Sequence, residues 1–527
     1  MSARGTNSGV GRKVPAGPKL IQAAIPSDPI LTARETEVLE RRLLRGEESR
    51  EWSAMSQAGS AVGAAVIDDF LEVGGLPVKA RILVLAGKGN NAGDALIAAR
   101  FLVDQFPDSM VEVAFAFGER ALRPLAARAW RELAESGGDR VRSAGTVAPE
   151  GDWDVCLDGI FGFQFRPPLP REAIRLTRAA NGLQIRLRAA VDLPSGLEDP
   201  DAFRADFTYA TGVVKRSLIG GFDAGRLRYL DLGFFEEPGV PAGRADRGDR
   251  VLKPGILAPL SRLREPATEK RKQGHLVVIA GSRTLPGAAL MTVLSALQSG
   301  VGLVTAFVPE SLAAAFAARA PEAMWVGCPE TPAGGLAAGS AALIAARLSR
   351  ATALEIGPGL GRETETLAWV RTFVGSATLP LLIDGDALQA DIVRTGRAAR
   401  ILTPHAGEFA RIAPGLDLRK ACRAARAVVV LKGPVTRISD GGAVYHNFTG
   451  GPVLARGGSG DLLAGITAGL LAQNPADPLL AACRGAHWHG RAADLLARSR
   501  GQTAVRTSEL LDSMAPALRE CASCPTS

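Results

Sequence analysis

Polar residues that could do chemistry stand where strand-like runs end. Asn91 lies in the loop Gly87-Lys-Gly-Asn-Asn-Ala-Gly-Asp94, directly after the apolar run Arg81-Ile-Leu-Val-Leu-Ala. Asp158 closes Val155-Cys-Leu-Asp, and Asp192 closes Ala189-Ala-Val-Asp and is followed by Leu-Pro-Ser195-Gly. In a parallel sheet the carboxyl ends of all strands share one edge, and ligands bind there. Asn91, Asp158 and Ser195 could therefore converge as oxygen ligands of a hard cation, leaving Asp192 for acid–base work. Each taken singly could equally be a helix cap. The Gly-rich loop is either a phosphate cradle at a helix start or a bare tight turn. It lacks the third glycine of a dinucleotide fingerprint and the Lys-Ser/Thr of a P-loop.

The second half carries a stronger pattern. Leu454-Ala-Arg-Gly-Gly-Ser-Gly-Asp461 precedes the helix-like run Leu462-Leu-Ala-Gly-Ile-Thr-Ala-Gly-Leu-Leu. Backbone N–H groups from Gly458 to Gly460 would stabilise charge on a phosphoryl group, and Asp461 would accept a hydroxyl proton. Lys432-Gly-Pro-Val-Thr436 follows a strand and suits a nucleotide phosphate or its surroundings. Arg456 either helps hold nucleotide or is a solvated side chain. His405 follows a strand-end Thr-Pro, a position that suits a site or a satisfied structural histidine. His487 and His489 lie two apart in a helical stretch, hence on different faces, the wrong spacing for a helical metal pair. They read as structural.

The elements that must position these groups alternate in type. Residues from about 31 to 73 read as helical, with Thr32 and Glu35 at capping-box spacing and a small-residue stretch from Met55 that lets a second helix pack closely. Strand runs separated by helical patterns then follow, which indicates a parallel sheet with helices on both faces. Glu236 to Arg250 has linker composition, rich in Gly, Pro and charge. Beyond it the alternation resumes with Leu276-Val-Val-Ile-Ala-Gly and runs through Leu303, Ala353, Leu381, Ile401 and Ala427. The halves share a style but not their motifs, so the chain is two α/β domains joined near residue 245, not a repeat.

Composition agrees. A chain of 527 residues with 46% hydrophobic and 22% charged residues has the size of two globular domains. The net charge of +8 is spread along the chain, which excludes a basic block for nucleic acid and leaves a mixed surface able to steer phosphate-bearing small molecules. No apolar run reaches the roughly 18 residues of a membrane span. Six cysteines, with one CxxC at Cys521 and Cys524, form neither a disulfide framework nor a four-ligand zinc site, which fits a reduced cytoplasm. Residues 1–30, rich in Gly, Pro and Ser, read as a disordered leader.

The segments NNAGD, LDGIFGF and VDLPSG, in this order, resemble the signature of NAD(P)H-hydrate epimerases. That resemblance spans 31–240 and implies a Rossmann-like domain. It implies that Asn90, Asn91, Ala92, Gly93 and Asp94 bind substrate, together with the loop Gly162, Phe163, Gln164, Phe165, Arg166, Pro167 and Pro168. It further implies that Asn91, Asp158 and Ser195 hold potassium, and that Asp192 meets the nicotinamide ring. Ala92 and Ala95 stand where the family usually has glycine, tolerable only at negative φ. The later set, from Pro286-Gly-Ala-Ala through IGPGLG, IDGDAL, LTPHAGEF, KGPVT and GGSGD, resembles ADP- or ATP-dependent NAD(P)H-hydrate dehydratases of ribokinase-like fold. After a linker over 241–252, this domain spans 253–518, followed by a tail over 519–527. By that resemblance Ala288, Ala289, Gly359, His405 and Asp461 meet the hydrate. Lys432, Gly433, Pro434, Val435, Thr436 and Gly460 meet the nucleotide, with Mg2+ and ADP as cofactors. The expected partners are small molecules, with neither nucleic acid nor membrane, in a homo-oligomer. A rival reading keeps the second domain as a vitamin or sugar kinase fused to a non-catalytic binding domain.

Overall fold

The computed structural model of the chain describes residues 24–220, 224–237 and 247–523. Most of the expected leader, half of the linker expected over 241–252, and the end of the tail with Cys524 lie outside the described residues.

The first sheet has seven parallel strands in the spatial order Val141–Gly145, Met110–Phe115, Arg81–Ala86, Trp153–Gly159, Ile185–Val191, Phe207–Thr211, Arg226–Leu230. Arg81–Ala86 reads as one apolar run because it is buried on both faces. Ile82, Val84 and Ala86 pack into one cluster, while Leu83 and Leu85 pack into another on the opposite side. The chain order reverses between Arg81–Ala86 and Trp153–Gly159, which opens a crevice at their carboxyl ends. Helix Glu48–Phe70 lies against helix Asn90–Gln105, and its small residues explain how closely. A Cβ on Gly59 would stand 2.6 Å from the Cβ of Ile97.

The second sheet has eleven strands in the order Ser27–Pro29, Asp249–Leu252, Val444–Asn447, Thr436–Ser439, Val428–Leu431, Arg400–Leu402, Leu381–Ile383, Ala353–Ile356, His275–Ile279, Leu303–Pro309, Met324–Cys328. It is parallel from Met324–Cys328 to Val428–Leu431, and Thr436–Ser439 pairs antiparallel with both neighbours. Its order reverses between His275–Ile279 and Ala353–Ile356, which opens a second crevice.

Two findings depart from the sequence reading. The leader expected over 1–30 gives way to structure early, because Ser27–Pro29 pairs antiparallel with Asp249–Leu252. The Arg250 guanidinium fixes it, donating to Ser27 Oγ at 2.8 Å and to the Ser27 carbonyl at 2.6 Å. Two residues on, Leu31 N donates to the Val214 carbonyl at 3.0 Å and the Leu31 carbonyl accepts from Arg216 N at 2.7 Å. One short stretch thus ties the second sheet to the first domain. It also leads into helix Ala33–Leu44, whose Thr32–Glu35 capping box forms as the spacing predicts.

The second departure is a buried ionic seam between the domains. Arg226, Arg228 and Arg498 face the carboxylates of Asp69, Glu72 and Asp494. Arg226 also donates to the Gly450 carbonyl at 3.1 Å, and both Arg226 and Arg228 lie over the Phe207 ring. Burial works against an ionised Asp69, but Arg228 and Arg498 outweigh it and hold its carboxyl below the usual range. Arg228→Met keeps the length and removes the charge, leaving Asp69 and Asp494 one partner short. Stability to denaturant should then fall by about 3–5 kcal/mol, read as a lower unfolding midpoint. A loss below about 1 kcal/mol would show the seam to be no stronger than surface pairs.

Candidate active sites

In the first crevice the backbone is pressed together. A Cβ on Gly87 would overlap the Ile160 carbonyl, so only glycine fits. Asn91, in the first turn of helix Asn90–Gln105, donates through Nδ2 to the Phe161 carbonyl at 2.9 Å. Phe161 N donates to Ser195 Oγ at 2.9 Å. Ser195 in turn donates to Asp158, from Oγ to Oδ1 at 2.6 Å and from N to Oδ2 at 2.7 Å. Asn91, Ser195 and Asp158 therefore share one small volume. Asp158 is fully buried, and burial pushes its carboxyl up to about 6 against the Ser195 and Ile160 donors. Neither Ala92 nor Ala95 has a positive φ, so both suit the helix. The Ala95 methyl has room because Gly159 lacks one, the missing Cβ lying 2.5 Å away.

Asp192 ends its strand with φ +64 and donates its N–H to the Tyr209 carbonyl at 2.9 Å. Its Oδ1 accepts from Lys215 Nζ, and the two side chains are only 7% and 3% exposed. The Lys215 ammonium also lies 5.3 Å from the centroid of Phe163. Both groups border a cavity of about 550 Å³, together with Asn90, Asn91, Asp94 and the segment Gly162 to Arg166. Ala92 and Gly93 are not among the bordering residues. Ala92 packs into the core, and a Cβ on Gly93 would overlap Met55 Sδ, so these two shape the turn from behind. Pro167 and Pro168 are exposed beyond the rim.

Two groups of this site escaped the sequence reading, Lys215 and Glu40. Lys215 follows two valines just past strand Phe207–Thr211, a lone cation in apolar surroundings, and that was the available signal. Glu40 sits in Arg34-Glu-Thr-Glu-Val-Leu-Glu40, where nothing separates it from solvated neighbours. Burial pushes Glu40 up to about 7 against Lys215, with Asp192 adding to the rise. Asp94 is pushed well above its usual range, first by burial and then by Asp192 and Glu40.

The second crevice gathers residues from several separate segments. Gly359, at φ +62, lies against helix Pro286–Gln298, where a Cβ would stand 2.8 Å from the Ala288 Cβ. Gly281 meets Ala289 in the same way at 3.0 Å. Gly458, at φ +86, caps helix Ser459–Gln473, whose first turn carries Asp461. A Cβ on Gly460 would lie 3.1 Å from Lys432 Nζ, so the loop and the cation are adjacent. Lys432 Nζ pairs with Asp384 Oδ1 at 3.3 Å, and Thr403 Oγ1 donates to the same oxygen at 2.6 Å. Asp461 is pushed up to about 6, first by burial and then by Asp384, against the pull of Lys432. Glu355, fully buried on the neighbouring strand, goes well above its usual range by burial, Asp384 and Asp461. Asp384, Asp386 and Glu355 were not singled out as site residues in the sequence, although Asp384 and Asp386 stand in the IDGDAL motif.

The remaining expectations divide. Gly433 and Pro434 are exposed, Thr436 opens a strand, and Val435 packs on an interdomain apolar cluster that also holds Phe163. His405 caps helix Ala406–Ile412, accepting at Nδ1 from Gly407 N at 3.0 Å and Glu408 N at 3.3 Å, with its ring exposed and its backbone bridged to that of Lys432. Arg456 is exposed, and its guanidinium is taken up by backbone carbonyls of a neighbouring segment. It donates to the carbonyls of Gln502, Thr503 and Val505 at 2.7, 2.8 and 2.9 Å and braces the loop from outside. His487 and His489 are buried, and burial pushes both down to about 4, so they are neutral.

The NAD(P)H-hydrate dehydratase family model matches residues 276–516, and that of the YjeF-related protein N-terminus matches 53–217. A bifunctional NAD(P)H-hydrate repair enzyme of Gloeobacter violaceus is 37% identical over 471 residues, covering 84% of this chain and 89% of the relative. One of Moorella thermoacetica is 34% identical over 473 residues, covering 83% and 87%. A solved ADP/ATP-dependent NAD(P)H-hydrate dehydratase of Bacillus subtilis, co-crystallised with ATP and Mg2+, is 28% identical. It covers 51% of this chain and 97% of that one at a TM-score of 0.45. With one family match on each half and long relatives spanning both, the chain belongs to the bifunctional NAD(P)H-hydrate repair enzymes.

Proposed function

We propose that the first site interconverts the R and S forms of hydrated NADH and NADPH, and that the second dehydrates the S form at the expense of ADP. The observation that carries this reading is the pair of carboxylates, Asp192 and Asp461, each at the carboxyl edge of a different sheet beside its own lysine. In the first site Asp192, in direct contact with the Lys215 ammonium, acts as a base on the ring hydroxyl or on water. Asn90, Asn91, Asp94 and the loop Gly162 to Arg166 shape the cavity around the ring and its phosphates.

Asn91, Asp158 and Ser195 offer oxygen donors to a hard cation, and Asp158 is a buried carboxylate whose partners are only N–H and O–H donors. Potassium held there would supply positive charge that anchors the substrate's phosphates and loops. In the second site the N–H groups from Gly458 to Gly460 and the Lys432 ammonium receive the terminal phosphoryl group of ADP. Asp461 takes the hydroxyl proton as the hydroxyl oxygen bonds to phosphorus and AMP leaves. Phosphate then departs with the C–O electron pair, the neighbouring ring carbon loses a proton, and the ring double bond returns. Hydroxide is a poor leaving group and phosphate a good one, which is why a nucleotide is consumed. Mg2+ would arrive on the nucleotide and screen its phosphates, needing few protein carboxylates.

Asp461→Asn keeps the shape and removes the proton acceptor, so nucleotide-dependent dehydration should fall by about 10² or more while epimer exchange survives. Asp192→Asn should do the reverse on a racemic hydrate: absorbance of the reduced cofactor returns in a fast phase that stops once S is spent. Loss of both activities in either folded variant would refute two independent sites.

The base at the second site must be ionised, and Asp461 titrates at about 6. Dehydration kcat/KM should therefore hold above that pH and fall roughly tenfold per unit below it. A flat profile down to pH 5 would remove Asp461 from this role. For the cation, epimer exchange in potassium salt should exceed that in choline salt at equal ionic strength, and Asp158→Ala should abolish the difference. Equal wild-type rates in the two salts would discard the site.

A further inference from the structure

We propose that Glu40 is a second catalytic residue of the first site, the proton donor that works opposite Asp192. The inference rests on the epimerase reading above and on the arrangement of charge around one cavity. Lys215 can neutralise one carboxylate, and it touches Asp192. Glu40 borders the same cavity as Asp192, Asp94 and Lys215. Its place is fixed from both ends of the problem. Helix Ala33–Leu44 starts at the Thr32 capping box, and Leu31 immediately before it is bonded to Val214 and Arg216, the two neighbours of Lys215. The helix carrying Glu40 is thus hung on the segment that carries Lys215.

Burial and the charges facing Glu40 together decide its state. Lys215 favours its ionisation, while Asp192 and Glu37 oppose it, Asp94 is coupled to it across the cavity, and Glu51 stands on the same wall. Burial is the largest influence, and together these push Glu40 up to about 7, so a protonated fraction is well populated at neutral pH. Glu40, driven toward its protonated form, and Asp192, held against an ammonium, stand as acid and base across one cavity.

The step balances. The ring carbon bearing the hydroxyl is bonded to the ring nitrogen, whose lone pair can take over as the C–O bond breaks. Glu40 gives its proton to the departing oxygen, and water leaves behind a planar carbon–nitrogen double bond. Water then adds to the opposite face, its oxygen bonding to that carbon and its proton passing to the Asp192 carboxylate, while the electron pair returns to nitrogen. Transfer of that proton from Asp192 to Glu40 through cavity water resets the pair. Nothing is oxidised or reduced, and the configuration at one carbon is inverted.

The test uses the full chain with Glu40→Gln, which keeps shape and hydrogen bonding but cannot give up a carboxylic proton. Epimer exchange is followed by NMR on the purified R hydrate without nucleotide, and dehydration of the S hydrate in the same preparation reports an intact fold. Wild-type exchange requires protonated Glu40, so its kcat should fall as pH rises through about 7. In Glu40→Gln the expected result is a loss of about 10² or more in kcat with KM little changed, the alkaline fall abolished, and partial recovery in Glu40→Asp. Exchange within about tenfold of wild type, or a slower rate that keeps the alkaline fall, overturns the assignment. If the wild type itself shows no catalysed exchange, the epimerase reading fails instead, and Asp192→Asn run alongside separates the two cases.

Discussion

A carboxylate buried in the fold has lost its water, and the arrangement of both domains follows from how that loss is met. Three solutions occur side by side. Asp192 is paired directly with an ammonium, as Asp69 and Asp494 are with guanidiniums. Asp158 receives hydrogen bonds from Ser195 and Ile160. Glu40, Asp94 and Glu355 are driven toward the protonated form. Each solution demands particular neighbours, and those neighbours come from segments far apart in the chain. The acid groups therefore constrain which loops can lie together, beyond what apolar packing requires.

The same constraint joins the domains. A salt bridge in the interior is weak evidence for stability when well-packed apolar residues could replace it, but strong evidence that its partners must stay together. Three guanidiniums against three buried carboxylates leave no member of the seam free to separate. Next to that seam, Phe163 from the first site's loop and Val435 from the segment after Lys432 pack on one apolar cluster with Leu193 and Phe448. Leu193 follows Asp192 directly, so residues adjacent to both sites are seated on common ground. The strand Ser27–Pro29 adds a third tie, pairing on the second sheet before the chain enters the first domain.

Much of this was legible in the sequence. Strands buried on both faces announce themselves as apolar runs, and each ends at a polar residue that the parallel topology must carry to one edge. That logic found Asn91, Asp158, Asp192 and Ser195, while Asp461 was found from the glycine-rich start of helix Ser459–Gln473. It missed Met324–Cys328, Thr436–Ser439 and Val444–Asn447, short or peripheral strands without a continuous apolar run. It also missed the ionic seam, because an arginine such as Arg228 reads as a surface charge until its partners are known. Glu40 and Lys215 were hidden for a related reason. Their meaning arises only where helix Ala33–Leu44 is folded over the edge of the first sheet.

The two sites also show why one residue pair in different settings gives different proton chemistry. Lys215 meets Asp192 at direct contact with both side chains buried, and acts on Glu40 and Asp94 only through space. Asp192 so paired serves as the proton acceptor, and the other half of an inversion must come from another group. Lys432 instead bonds to Asp384, which also accepts from Thr403, and reaches Asp461 only through space. The single cation is divided, burial and the second carboxylate prevail, and Asp461 is left near 6. A base so placed is ionised at neutral pH yet holds an acquired proton with little bias either way. That suits a step in which a hydroxyl must be deprotonated only as it attacks phosphorus.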